Sequence, residues 1–214
     1  MPMRLQELHS AAVHYPVALL PLAIGADMLG AVTGSRMLSD VGRVGIALGA
    51  GSAMLAGAAG LIAQEAVVAD GHAHDVLVTH RTLNISLTVL TTGMAVYRAG
   101  VEKPGVGYLA LGAASLGALV YSAYLGGHMV YELGVGIKDR GLNEAYAPEL
   151  RLENAGRAAW VAARNLGVGA YHTATEMAAG ELVPVLTHSR DPDDAGFRVA
   201  EPPRAPESPF APRR

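Results

Sequence analysis

Four apolar stretches, residues 11–32, 41–63, 83–99 and 107–131, restrict this chain more than any other feature of it. An α-helix needs about 20 residues to cross about 30 Å of hydrocarbon. Three of the stretches reach that length; 83–99 is shorter and needs Thr82 or Arg98 to snorkel at its ends. None carries the polar stripe that a helix on a soluble core requires. The expected fold is all-α: a four-helix transmembrane bundle followed by a polar, partly helical C-terminal extension. The first stretch is long, and no Ala-x-Ala site leads from it into a soluble domain, so it is read as a retained helix rather than a removable leader.

The charge distribution divides the chain. Only 16% of residues are charged, where a soluble domain has about 25%. Before Gly134 there are 6 basic and 8 acidic residues, and from Gly134 on, in a shorter stretch, 10 and 11. The expected division is a transmembrane domain over 1–137, an amphipathic helical extension over 138–190 and a proline-rich extended tail over 191–214. A net charge of −3 with no Lys/Arg cluster argues against a nucleic-acid partner. The absence of cysteine excludes disulfides, thiolate metal sites and covalent c-type haem attachment. No Ser/His/Asp signature, phosphate loop or dinucleotide fingerprint occurs, so the chain is not read as an independent hydrolase or transferase.

In the extension, Leu152, Ala155, Ala159, Ala162 and Leu166 recur at helical spacing over 148–166, with Glu153 and Arg157 placed for an i,i+4 pair. This predicts a helix lying on the membrane surface or on a partner. The alternative is a plain helix packed on the bundle end. A second, weaker helix is expected over 170–186, interrupted by Gly180 and Pro184. The tail beyond has too few large apolar residues to form a core, and its expected role is contact with a larger membrane or periplasmic complex.

Threading the helices back and forth brings His9, His14, His72, His74, His80 and His128 to one end of the bundle. The opposite end holds Arg36, Arg43, Arg98 and Lys103, while Arg4 and Arg81 are the cations on the histidine side before the extension. The positive-inside rule then puts the histidines and both termini in the periplasm. Gly45, Gly49, Ala53 and Gly57 form a small-residue seam for close helix packing or for a flat cofactor. Asp27 lies deep in the first helix, as a functional carboxylate or as a neutral acid bonded to Thr92 or Ser115.

Imidazole is the commonest protein metal ligand, and haem iron takes one or two. Histidines on different helices suit opposite faces of a haem, which favours His80, then His14 and His128. His9 and His74 are left for a second haem or metal, and His72, His172 and His188 are expected to be dispensable. Asn84 shares a helix face with His80, Arg81 is placed for a propionate, and Asp75 and Glu132 are candidates for orienting the ligands. Gly126 and Gly127 are expected to make room beside His128. Glu65, Asp70 and Asp75 are available to complete a copper or zinc site instead.

The segment from His9 to Leu20, His-Ser-Ala-Ala-Val-His-Tyr-Pro-Val-Ala-Leu-Leu, resembles the opening His-Pro-x-x-Val-His-Phe-Pro-x-Ala-Leu of a bacterial membrane family, domain of unknown function 2231. His74 and His80 match its paired histidines before the third helix. Leu-Gly-Gly-His-Met-Val-Tyr-Glu-Leu-Gly-Val-Gly from Leu125 is similar to its closing Gly-Gly-x-Leu-Val-Tyr-x-x-Gly-x-Gly. Ser10 replaces the family's proline, and His128 stands at a variable position. The resemblance covers residues 9–137 and implies four transmembrane helices in a bacterial inner membrane. Fusion of some members to a Rieske-type domain implies electron transfer. The resemblance also implies His9, His14, His74 and His80 as shared ligands.

Together these readings give a b-type haem subunit carrying electrons at the periplasmic face, with quinol as a possible donor and membrane lipid around it. The alternatives are an accessory membrane subunit without cofactor, or a copper- or zinc-handling membrane protein.

Overall fold

A computed structural model of the chain describes residues 3–137 and 142–187. The helices are α1 (Glu7–Ala12), α2 (His14–Thr33), α3 (Arg36–Gln64), α4 (His72–Ala99), α5 (Val106–Tyr131), α6 (Ala155–Ala178) and the short α7 (Pro184–Thr187). No β-strand occurs among the described residues, which leaves an all-α fold. The tail 191–214 and His188 lie outside the described residues.

Helices α2 to α5 alternate in direction. The contacts α2 with α3, α3 with α4, α4 with α5 and α2 with α5 close them into a bundle. Three helical segments are long and apolar enough to cross a membrane: Glu7–Thr33, Arg36–Gln64 and Val106–Tyr131. Helix α4 has 28 residues, so length does not separate it from them. Its composition does, because both its ends are polar. It nevertheless packs between α3 and α5 over a comparable length. The bundle exposes large apolar side chains and buries several polar ones beside its apolar core. Val32, Leu55, Val89 and Val120 are each about 70% exposed or more, whereas Thr79, Thr91, Ser115 and Ser122 are buried. That pattern suits a hydrocarbon surround and makes this a membrane protein.

Two local features set the bundle's shape. Pro16 has no amide hydrogen and crowds the carbonyl four residues back, at Ala12. The helical bonding is interrupted there, at Val13 between Ala12 and His14, and α1 packs on α3. At the other end of α2, Gly34 adopts φ 71° and stops the helix, and Ser35 Oγ accepts the Leu38 amide at 3.4 Å to start α3.

The charged network near the α2–α3 turn differs from expectation. Arg98 does not snorkel; both it and Asp27 are fully buried. Arg98 Nη2 donates to Asp27 Oδ1 at 2.7 Å and Nε to Oδ2 at 3.2 Å. Tyr108 Oη donates to Oδ2 at 2.9 Å. The remaining guanidinium hydrogens reach the carbonyls of Ser39, Val101 and Glu102. Thr92 and Ser115, the expected partners of Asp27, instead bond the Thr88 and Leu111 carbonyls of their own helices. Part of the glycine seam serves this packing. A side chain at Gly42 would collide with the Asp27 carboxylate, and Gly45 and Gly49 let α3 close on Ala23 and Leu20 of α2. Gly57 meets nothing within 4 Å.

The extension also departs from its expected form. One continuous helix, α6, runs from Ala155 to Ala178, in place of two over 148–166 and 170–186. It packs along the end of α3, as the plain-helix alternative has it, through Ala158, Val161, Asn165, Gly169 and Thr173. Asn165 Nδ2 donates to the carbonyls of Ile62 at 3.3 Å and Tyr146 at 3.1 Å. Gln64 Nε2 donates to the Gly169 carbonyl at 3.0 Å. Glu153 meets Arg151 at 3.6 Å, not Arg157.

Candidate functional site

His9 on α1 lies against α3, where its Nδ1 is 3.0 Å from the Ala56 carbonyl. A carbonyl only accepts, so Nδ1 is the protonated nitrogen and Nε2 of the neutral ring holds the lone pair. The His9 ring lies over Gly60, one turn beyond Ala56; a side-chain carbon there would come within 3.1 Å of Cε1.

His80 on α4 repeats the arrangement against α5. Its Nδ1 lies 2.9 Å from the Ser122 carbonyl, and its ring lies over Gly126, again one turn on, where an added carbon would come within 3.2 Å of Cε1. Asn84 Nδ2 sits 3.2 Å from His80 Nε2. The same amide bonds the His80 carbonyl and Ser122 Oγ, each at 2.7 Å. That carbonyl requires a donor, which fixes the Asn84 orientation and leaves His80 Nε2 as the acceptor. The two rings face one another with centroids 6.4 Å apart and planes at 83°.

The expected ligands fall into three places. His9, not His14, stands opposite His80. His14 is exposed, with Nδ1 3.4 Å from the Ala11 carbonyl of its own first turn. His128 is paired with His72, not with His80; those rings are 6.0 Å apart at 74°. The glycine expected to clear space beside His128 serves His80, because Gly126 lies under that ring. His74 points to α6, with Nε2 3.5 Å from Glu176 Oε1.

The proposed supporting residues divide similarly. Asn84 reaches His80 as expected. Arg81 is already engaged, bonding Gln64 Oε1 at 3.1 Å and the Glu176 carboxylate. Asp75 is buried in the first turn of α4. Glu132 Oε2 lies 2.9 Å from His128 Nδ1. Glu65 pairs with His172 at 3.1 Å. Among the described residues, no three His, Asp or Glu side chains already converge as a metal site.

The functional arrangement that residue spacing missed is the pairing itself. The sequence signal for it was the family resemblance, which held His9 and His80 among four shared histidines. A family model described as a predicted membrane protein, domain of unknown function 2231, matches residues 6–139. That span holds His9, His80, Asn84 and both glycines, and ends before α6. No curated protein and no solved structure matches.

Proposed function

The chain belongs to the predicted membrane protein family called domain of unknown function 2231, and we propose that this membrane protein is a subunit holding a b-type haem between His9 and His80. The observation that carries this reading is the spacing of the two rings. Opposed imidazoles on one metal have centroids about 6.4 Å apart, from metal–nitrogen bonds near 2.1 Å and about 1.1 Å from nitrogen to ring centre. The rings here are 6.4 Å apart. Each is neutral with Nε2 as its lone-pair nitrogen, the form a ligand needs, and each is steered by a carbonyl on Nδ1. Gly60 and Gly126 keep side chains away from both rings. Asn84 has two other acceptors, so releasing His80 Nε2 orphans no buried donor.

When bound, the haem supplies reversible one-electron transfer. The chain's part is to hold both imidazoles neutral, fix their planes and exclude water with α3 and α5. Quinol as donor and a larger complex as partner belong to the same reading. A second reading is an accessory subunit without cofactor. Its support is that both histidines already bridge helices by hydrogen bonds. The visible spectrum of the intact chain, purified in mild detergent from haem-replete cells, separates the two. A reducible Soret band with a sharp α band is expected. A colourless, correctly assembled preparation would leave the accessory role.

The histidine end is assigned to the periplasm because Arg36, Arg43 and Lys103, the exposed cations of the opposite loops, favour the cytoplasm. Arg98, being buried, leaves that count. In intact cells, a cysteine at Arg36 is expected to resist a membrane-impermeant thiol reagent, and one at exposed Glu181 to react. The reverse pattern would turn the protein over.

A further inference from the structure

Helix α6 meets the bundle on a surface that elsewhere faces lipid. On α3, Val44, Leu48 and Leu55 share one exposed face. Ala58, Ile62 and Glu65 continue that face at the same helical spacing but are only partly exposed. They are covered because α6 passes over them: Asn165 Nδ2 donates to the Ile62 carbonyl, and His172 pairs with Glu65. The first turns of α6 share an open apolar cleft with Leu5, just before α1. Near its other end, Glu176 reaches Arg81 of α4. The helix therefore runs from α1 across α3 to α4. Its depth follows from α3. Asp40 and Arg43 form an exposed pair at 2.7 Å, so the hydrocarbon begins no earlier than Val44. About 20 residues at about 1.5 Å each then cross it and end near Ala63, the level at which α6 lies.

We propose that α6 lies in the plane of the membrane surface, with its inner side on α3 and its outer side against phospholipid at the headgroup–acyl boundary. The outer side is formed by Ala159, Trp160, Ala163, Leu166, Ala170 and Ala174, all exposed and none charged. A helix between a protein core and water carries its charges on that side. Here they are turned elsewhere: Arg164 lies over the Tyr146 ring at 4.1 Å, His172 meets Glu65 and Glu176 meets Arg81. Only Arg157, in the first turn, is an exposed charge without such a contact to the bundle. Lipid is the occupant because the outer side of α6 extends the lipid-facing surface of α3, at the depth where the hydrocarbon ends. Trp160 is 49% exposed and Tyr171 67%. Each has an apolar ring for the acyl layer and a polar atom for the headgroups, which suits that depth. The proposal depends on no cofactor.

Trp160 is the only tryptophan of the chain, so the intrinsic fluorescence of the full chain reads this side of α6 directly. The chain is placed in phosphatidylcholine nanodiscs, plain or brominated on the acyl chains, with iodide added as the aqueous quencher. An interfacial helix sits about 5–10 Å into the headgroup–acyl boundary. A strong loss of emission is therefore expected with bromines near the headgroup end of the chains. A smaller loss is expected with bromines near the methyl end, and little with iodide. Comparison between lipids cancels any dimming by a bound haem. The double variant Trp160→Phe, Tyr171→Trp is expected to give the same order from the other half of the helix. Emission quenched by iodide and unchanged by bromine puts α6 in water and overturns the proposal. Shielding from both quenchers overturns it too, because a second copy or another protein would then cover that side.

Discussion

Replacing Arg98 by methionine is expected to destabilise the bundle by about 3–5 kcal/mol, the cost of stranding one member of a buried ion pair. Asp27 would keep only the Tyr108 hydroxyl, while the Ser39, Val101 and Glu102 carbonyls would lose their common donor. Neutralising both partners, as Asp27→Asn with Arg98→Met, is expected to recover much of the loss, because no bare charge remains. Reversible unfolding in mixed micelles, followed by helical signal across the double-mutant cycle, measures both terms. A loss below about 1 kcal/mol for Arg98→Met would show that the pair contributes little beyond packing.

The second large effect concerns the ligands. Either His9→Ala or His80→Ala is expected to abolish the low-spin haem spectrum, since each removes one of two opposed imidazoles. His14→Ala and His128→Ala are expected to retain it fully, because one ring is exposed on its own turn and the other faces His72. The readout is haem content and α-band position at matched protein concentration. Full haem loading with an unchanged spectrum in both His9→Ala and His80→Ala would remove the haem assignment. Asn84→Ala is expected to keep the haem and its α-band position, because Asn84 meets the His80 ring only at Nε2, the nitrogen the iron would take.

Apolar run length carried most of the fold into view, because lipid-facing helices need continuous apolar sequence. The side on which the histidines gather followed from counting crossings. Their pairing did not, because it depends on a ring reaching a backbone carbonyl of another helix, and every residue has that carbonyl. Spacing alone placed His14 with His80, since His14 begins the long helix. Pro16 was visible, but the direction of the break it causes is set by contact with α3. The family resemblance implied His9, His14, His74 and His80 together, so it included His9 and His80 without separating them from His14 and His74. Arg98 was misplaced by the habit of sending a terminal arginine to the interface; Asp27 at a similar depth on α2 was the competing signal. The extension was divided in two, over 148–166 and 170–186, but the helix runs through the residues between them. Gly169 lets α6 approach the Leu61 carbonyl and Gln64.

The charge network near the α2–α3 turn has a mechanical meaning. Asp27, Ser39, Arg98 and Tyr108 come from α2, α3, α4 and α5, so all four helices are tied at one level. At the far end the ties join helices in pairs: His9 holds α1 to α3, His80 and Asn84 hold α4 to Ser122 of α5, Arg81 holds α4 to Gln64 of α3, and α6 bridges α3 and α4 from outside. A tilt of the helices about the Asp27 level therefore moves the histidine end most, as a lever moves its far end.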